Sequence, residues 1–318
     1  MDTRVLREPV VRSSRWLPRF LRPWQRFWFS GIPPHIYAVL RIAFGVISCL
    51  SLLGVGNLSE FWDLDGFVPT DRGVGLKPFL ALYGLGNFGG RALFFGSFTA
   101  YLCMAVGFQS PWAVALSLAA SITELSWNYF PLSGAYTTNQ VMLFCLIWAD
   151  CGSVWSVDAW LKRRRSDESA VSPALIAPLR LLRFQVALIY LNTGLRKLFV
   201  DQWRNGTAVY YVVNNNVFRR FPFHIPAGLE WCATLLTYFT LFWEIGFIFM
   251  ILYGPTRRVA LIVGVLLHLG MFAVIEIGPF PWVMLASYLA FLDPETVPRL
   301  PQRIAQRFTT RRMLRGVA

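Results

Sequence analysis

Apolar residues in this chain run in stretches about as long as a bilayer is thick, separated by short polar or arginine-rich segments. A helix rises about 1.5 Å per residue, so about 20 apolar residues cross the hydrocarbon core. Eight stretches come close: residues 35–56, 90–108, 111–127, 136–156, 174–198, 229–253, 257–276 and 279–293. The last is the shortest and fits a partial or steeply packed span. The pattern predicts an all-α fold, a polytopic transmembrane helix bundle of about eight spans. Residues 1–31 are different: seven arginines are interspersed with Trp16, Phe20, Trp24, Phe27 and Trp28. That mixture predicts an interfacial amphipathic helix. The expected organisation is a basic amphipathic segment over 1–31, a transmembrane domain over 32–295 and a basic cytoplasmic tail over 296–318. No short apolar core with a small-residue cleavage site opens the chain, so no cleaved signal peptide is expected.

Charge refines the picture. A net charge of +13 would suit a nucleic-acid partner, but its distribution argues against one. The arginines gather at 4–26, 163–165, 257–258 and 299–315. With both termini in the cytoplasm, an even number of spans puts all four clusters on the inner side, as the positive-inside rule requires. The basic faces would then meet anionic membrane lipid. Five scattered cysteines, at 49, 103, 145, 151 and 232, have no paired spacing and read as apolar filler, and no metal site is expected. Two loops are long, 57–89 and 199–228. Loops of that length are either binding surfaces or irregular packing over the bundle.

Ionisable residues inside the spans come next, because each is costly there. Depth along the helices places Arg41, Asp150, Arg183 and Glu244 in the inner half. Two cations and two anions at similar depth predict a structural charge network, with Arg41 paired to Asp150 and Arg183 to Glu244, or all four shared. Lys197, His268, Glu124 and Glu276 fall in the outer half and could share one side of the bundle. His268 is a structural hydrogen-bonder or a functional group. Lys197 is one of only three lysines, against 27 arginines. Lys77 and Lys162 read as polar-loop residues, whereas Lys197 closes the apolar run that starts at Phe184. A lysine there can snorkel to the interface. It can also be desolvated into a usable base, which arginine cannot become.

Three stretches resemble one known family. Tyr190-Leu-Asn-Thr-Gly-Leu-Arg-Lys-Leu-Phe-Val-Asp-Gln-Trp203, followed by Gly206, resembles the YxxAGxxKLxxxW…G stretch of vitamin K-dependent γ-carboxylases and of their bacterial relatives, the horizontally transferred transmembrane (HTTM) domain proteins. His268, then Ile277-Gly-Pro-Phe-Pro-Trp-Val-Met-Leu-Ala-Ser287, resembles the carboxylase helix H…IGMFPYVMLAS. Ser126-Trp-Asn128, with Asp150 and Trp155-Ser-Val-Asp158, is similar to its SWN…MD…WSVD region, and Leu40–Gly45 fits its first span. The similarity covers roughly residues 35–295.

The resemblance implies that Lys197 is a base acting on a quinone or hydroquinone, with His268 orienting or assisting it. Arg196, Trp203, Glu124 and Glu276 would then be binding residues. The departures are Arg196 in place of the first lysine of the family's pair, and no histidine after Ser126-Trp-Asn128. The chain also lacks the carboxylase's large lumenal part, so carboxylation of a propeptide-bearing protein is not expected. Two functions stay open: an enzyme of the bacterial cytoplasmic membrane using a lysine base on a quinol-like or lipid-soluble molecule near the outer leaflet, and a non-catalytic accessory protein for maturation or export of a secreted peptide or toxin. Transport has less behind it, since no inverted repeat is visible.

Overall fold

The computed structural model of the chain describes residues 18–54, 58–64, 76–127, 134–165, 171–222, 225–226 and 228–299. Each of the eight apolar stretches contains a helix. These are α2 (His35–Leu53), α5 (Gly86–Val106), α6 (Ser110–Trp127), α7 (Gly134–Ile147), α9 (Ala177–Lys197), α12 (Glu230–Met250), α13 (Gly254–Val274) and α14 (Phe280–Tyr288). Shorter helices fill in between: α1 (Arg22–Phe29), α3 (Leu58–Trp62), α4 (Leu76–Leu82), α8 (Val157–Arg165), α10 (Asp201–Arg204) and α11 (Ala208–Asn214). Both long loops thus carry helices of their own. The class is all-α, with one two-residue antiparallel pair, β1 (Gly31–Ile32) on β2 (Ala174–Leu175). Prolines at the first turns of α9, α13 and α14 start those helices where a missing N–H costs nothing.

Among the described residues, α2, α12 and α13 are long and apolar enough to cross a membrane by length and composition. Large apolar side chains cover the outside of the bundle: Leu50, Phe95, Trp112, Trp148, Phe242, Phe249, Leu252, Ile262 and Leu266 are all exposed. A surface of that kind suits lipid and not water. The interior is built from Ile36, Tyr37, Leu40, Phe44, Met104, Met142, Leu143, Leu182, Phe247 and Met284. Gly45 lets α2 and α5 touch backbone to backbone, since a Cβ there would lie 2.7 Å from Ala105.

The expected charge network does not form. Arg41 is fully buried, yet Asp150 is exposed and accepts from Ser153. Arg41 instead donates to four carbonyls: Met104 (2.5 Å) and Ala105 (2.7 Å) at the end of α5, Cys151 (2.9 Å) and Trp155 (2.6 Å). The last carbonyls of a helix have no intrahelical donor and carry the negative end of its dipole, so they answer a guanidinium without a carboxylate. This also explains why α7 stops at Ile147 although the apolar stretch runs on to 156: the backbone of 151–155 leaves the helix to serve Arg41. Arg183 likewise donates to the carbonyls of Ala290 (2.7 Å) and Leu292 (3.1 Å), not to Glu244. Lys77 is not a loop residue either. It lies in α4, fully buried, with its ammonium 5.7 Å from the centre of the Trp127 ring.

Gly107 closes α5 in the left-handed conformation, φ 72°, and passes directly under Arg41. Asp158 then starts α6 by accepting from the Gln109 and Ser110 amides at 2.8 and 2.7 Å. Gly107→Ala should therefore cost more than the ~1–2 kcal/mol of left-handed strain alone, because its Cβ would stand 2.7 Å from the guanidinium. Asp158→Ala should cost about 1–2 kcal/mol through loss of a helix cap. Denaturation in mild detergent measures both, and a wild-type midpoint for Gly107→Ala would contradict this arrangement.

Candidate functional site

The last two turns of α9 place Tyr190, Thr193, Gly194 and Lys197 on one face, at spacings of three, four and seven. Gly194 lets α12 come close, since a Cβ there would meet Ile245 Cγ1 at 2.8 Å and Glu244 Cβ at 3.2 Å. At that distance Lys197 Nζ reaches Glu244 Oε1 at 2.5 Å. Side-chain exposure is 23% for the lysine and 11% for the glutamate, so the pair is mostly buried while the amine stays reachable. After α9 the chain bends through Val200, in extended conformation, into α10. This brings the Trp203 ring back to within 4.2 Å of the Lys197 ammonium.

Two turns back along α9, the Tyr190 hydroxyl meets His268 Nε2 at 2.6 Å and also the hydroxyl of Tyr288. Tyr190 is held by Trp243 and Phe247, with ring centres 4.8 and 4.5 Å away. His268 lies between Tyr288 and Phe280, at 5.9 and 5.7 Å. Tyr288 fits because residue 264, one turn before His268, is glycine: a Cβ there would fall 2.1 Å from the Tyr288 hydroxyl. Four helices thus assemble one polar cluster, Lys197–Glu244 beside Tyr190–His268–Tyr288, inside an aromatic wall.

The structure places the two predicted catalytic residues in neighbouring groups, Lys197 against Glu244 and His268 against Tyr190, with no direct hydrogen bond between the two among the described residues. Trp203 joins as well. Glu244, expected in the inner network, belongs here because it is the partner of Lys197. The other three predicted binding residues lie elsewhere. Arg196 is exposed and donates to Asn192 Oδ1 at 2.8 Å on its own helix. Glu276 pairs with Arg220 at 2.7 Å and ties the 218–220 segment to the end of α13. Glu124 is buried in a separate pocket on α6. Tyr190 and Tyr288 escaped notice in the sequence because tyrosine reads as an apolar residue in a span. Their signal was spacing: Tyr190 is two turns before Lys197, on its face.

Residues 29–295 match the HTTM domain, and the chain belongs to that family. It is also 27% identical over 145 residues to sporulation-delaying protein SdpB of Bacillus subtilis (strain 168), a match covering 42% of this chain and 43% of that protein. The chain therefore spans less than half the length of this curated relative. No solved structure is significantly similar to it.

If Lys197 and Glu244 answer one another's charge, removing either alone strands the other. Lys197→Met or Glu244→Leu should each cost about 3 kcal/mol, the low end for a buried pair because the lysine keeps part of its exposure. The double variant should recover most of that loss. Additive losses in a detergent-unfolding cycle would show that the two do not interact.

Proposed function

We propose that this HTTM protein is a membrane enzyme in which Lys197 takes a proton from an acidic hydroxyl of a lipid-soluble, quinol-like molecule near the outer leaflet. The observation that supports it most is the 2.5 Å Lys197–Glu244 contact at a reachable, mostly buried position. An ammonium is not a base until it loses a proton, and Glu244 is where that proton goes. Transfer from Nζ to Oε1 turns an ion pair into a neutral pair and creates no net charge, a small change in a low-dielectric site. The neutral amine then accepts the hydroxyl proton, and the resulting ammonium faces both the new oxyanion and Glu244. A quinol fits this donor set: its hydroxyl meets the amine and its ring matches the Trp203 indole face. When bound, it would supply the redox chemistry. Tyr190, Tyr288 and His268 keep the inner wall of the site fixed behind the pair.

On this reading the bundle crosses the membrane about eight times, with α14 a partial or steeply packed span, both termini are cytoplasmic, and residues 199–228 face outside. The charge clusters support that orientation. A second reading, a non-catalytic accessory protein for maturation or export of a secreted peptide, is favoured by the likeness to a protein named for delaying sporulation, a name that states an effect and no reaction.

Lys197→Arg separates the two. Arginine keeps the charge facing Glu244 and removes only the ability to act as a base. The wild-type protein reconstituted in liposomes should speed aerobic consumption of a short-chain quinol, and Lys197→Arg should fall to background with an unchanged melting curve. Full activity in Lys197→Arg excludes a lysine base, and an inactive wild type favours the accessory reading. For orientation, a thiol probe added to intact cells should label Asn216→Cys and leave Arg164→Cys untouched in a background without the native cysteines. The reverse pattern would invert the topology.

A further inference from the structure

Away from Lys197, the helices α2, α5, α6 and α7 turn buried polar side chains toward one another. On α6 the buried stripe is Ser117, Ser121 and Glu124, at spacings of four and three. On α5 it is Ser97 and Tyr101, one turn apart. Ser48 comes from α2 and Asn139 from α7, both more than nine-tenths buried. Polar residues on one lipid-facing helix would be a liability. Four helices that point theirs at the same place make a site.

A small cavity sits at that place. Ser48, Tyr101, Ser121, Glu124 and Asn139 border it, closed on one side by Pro279 and Val283 at the start of α14. Its free volume is about 20 Å³, room for about one water-sized body. Glu124 is 8% exposed, and Tyr101 donates to its Oε1 at 3.0 Å. Among the described residues no basic side chain pairs with it. Asn139 donates through Nδ2 to Ser48 Oγ at 3.2 Å, which leaves its buried Oδ1 without a hydrogen-bond partner. Among the described residues, the cavity thus presents a carboxylate with no countercharge and an amide oxygen with no donor, beside serine hydroxyls.

Both deficits call for positive charge. A lone carboxylate in a bundle interior is too costly to stay ionised unanswered. A proton on Glu124 would neutralise it but leave Asn139 Oδ1 as it is. One cation between them answers both. Oxygen ligands select a hard ion. A single carboxylate selects a monovalent one, since a divalent ion would leave a net buried charge. The size of the cavity excludes a hydrated ion. We propose that this pocket binds one dehydrated alkali cation of the Na⁺ class, ligated by Glu124 and Asn139 Oδ1 with hydroxyl oxygens of Ser48 and Ser121. The site is independent of the chemistry assigned to Lys197. One element common to both sites is α14, with Pro279 at its N-cap and Val283 at this pocket and Tyr288 at the other. Occupancy therefore seats α14.

The test uses the full chain purified in detergent, with NaCl replacing N-methyl-D-glucamine chloride at constant ionic strength and pH. The melting temperature should rise saturably with Na⁺, by several degrees. K⁺ and Li⁺ should act at different concentrations, since a dehydrated site reads ion size. Glu124→Gln keeps the shape and an acceptor for Tyr101 and should abolish the Na⁺-dependent rise. Asn139→Leu should move its midpoint at least tenfold. Where Glu124→Gln does not fold, retention of radioactive Na⁺ by the wild type, compared with Asn139→Leu, decides the matter. The proposal fails if the wild type melts alike in Na⁺, K⁺, Li⁺ and N-methyl-D-glucamine, which would leave Glu124 simply protonated. It also fails if Glu124→Gln keeps the full shift.

Discussion

The contact between Lys197 and Glu244 sets the distance between α9 and α12, and the second half of the bundle is arranged around that distance. Gly194 makes the approach feasible, and the approach brings Trp243 and Phe247 onto Tyr190. Tyr190 in turn fixes His268 on α13 and Tyr288 on α14. The first half solves the same problem differently. Arg41 finds no carboxylate and uses the carbonyl end of α5, so its partner is backbone geometry and not a side chain. Glu124 is approached by hydroxyls alone among the described residues. Lys197 is thus answered by an ion pair and Arg41 by a helix end, while Glu124 has a phenol donor and no ion pair among the described residues.

Membership of the HTTM family covers the whole bundle, both halves included. What distinguishes the Lys197 region is a cation and a carboxylate in direct contact, a pair between which a proton can move. Among the described residues Glu124 has a phenol as its hydrogen-bond donor and no basic side chain paired with it, which is why one site suggests acid–base chemistry and the other coordination.

The bundle was largely legible in the chain because hydrophobic length is a one-dimensional property. All eight stretches hold helices, with ends displaced where side chains intervene, as at α7. The charge partners were not legible. Depth follows from counting residues along a helix, but partnership also needs the direction each residue faces and the rotation of neighbouring helices. Arg41 and Asp150 share a depth and face different ways. Glu244 was placed with Arg183 by depth and meets Lys197 because Gly194 lets the helices close. Lys77 reads as a loop residue because Gly73, Gly75 and Pro78 punctuate its surroundings in sequence, whereas in space it lies over Trp127. The Lys197–His268 association was legible from motif resemblance, and the tyrosine between them was not.

Arg41 has a consequence for the order of assembly. Its carbonyl partners lie 63 to 114 residues further along the chain. The first long apolar helix therefore leaves the ribosome with its cation unanswered until α5 and the segment after α7 have been made. An arginine held at the middle of a helix costs about 2.5–3.5 kcal/mol on entering a bilayer. One near the end can lean toward the lipid headgroups while it waits. When the later segments arrive, the guanidinium turns inward, and α2 is latched to parts of the protein that did not exist when it was inserted. The Arg41 end of the bundle is thus the part of the molecule that closes late.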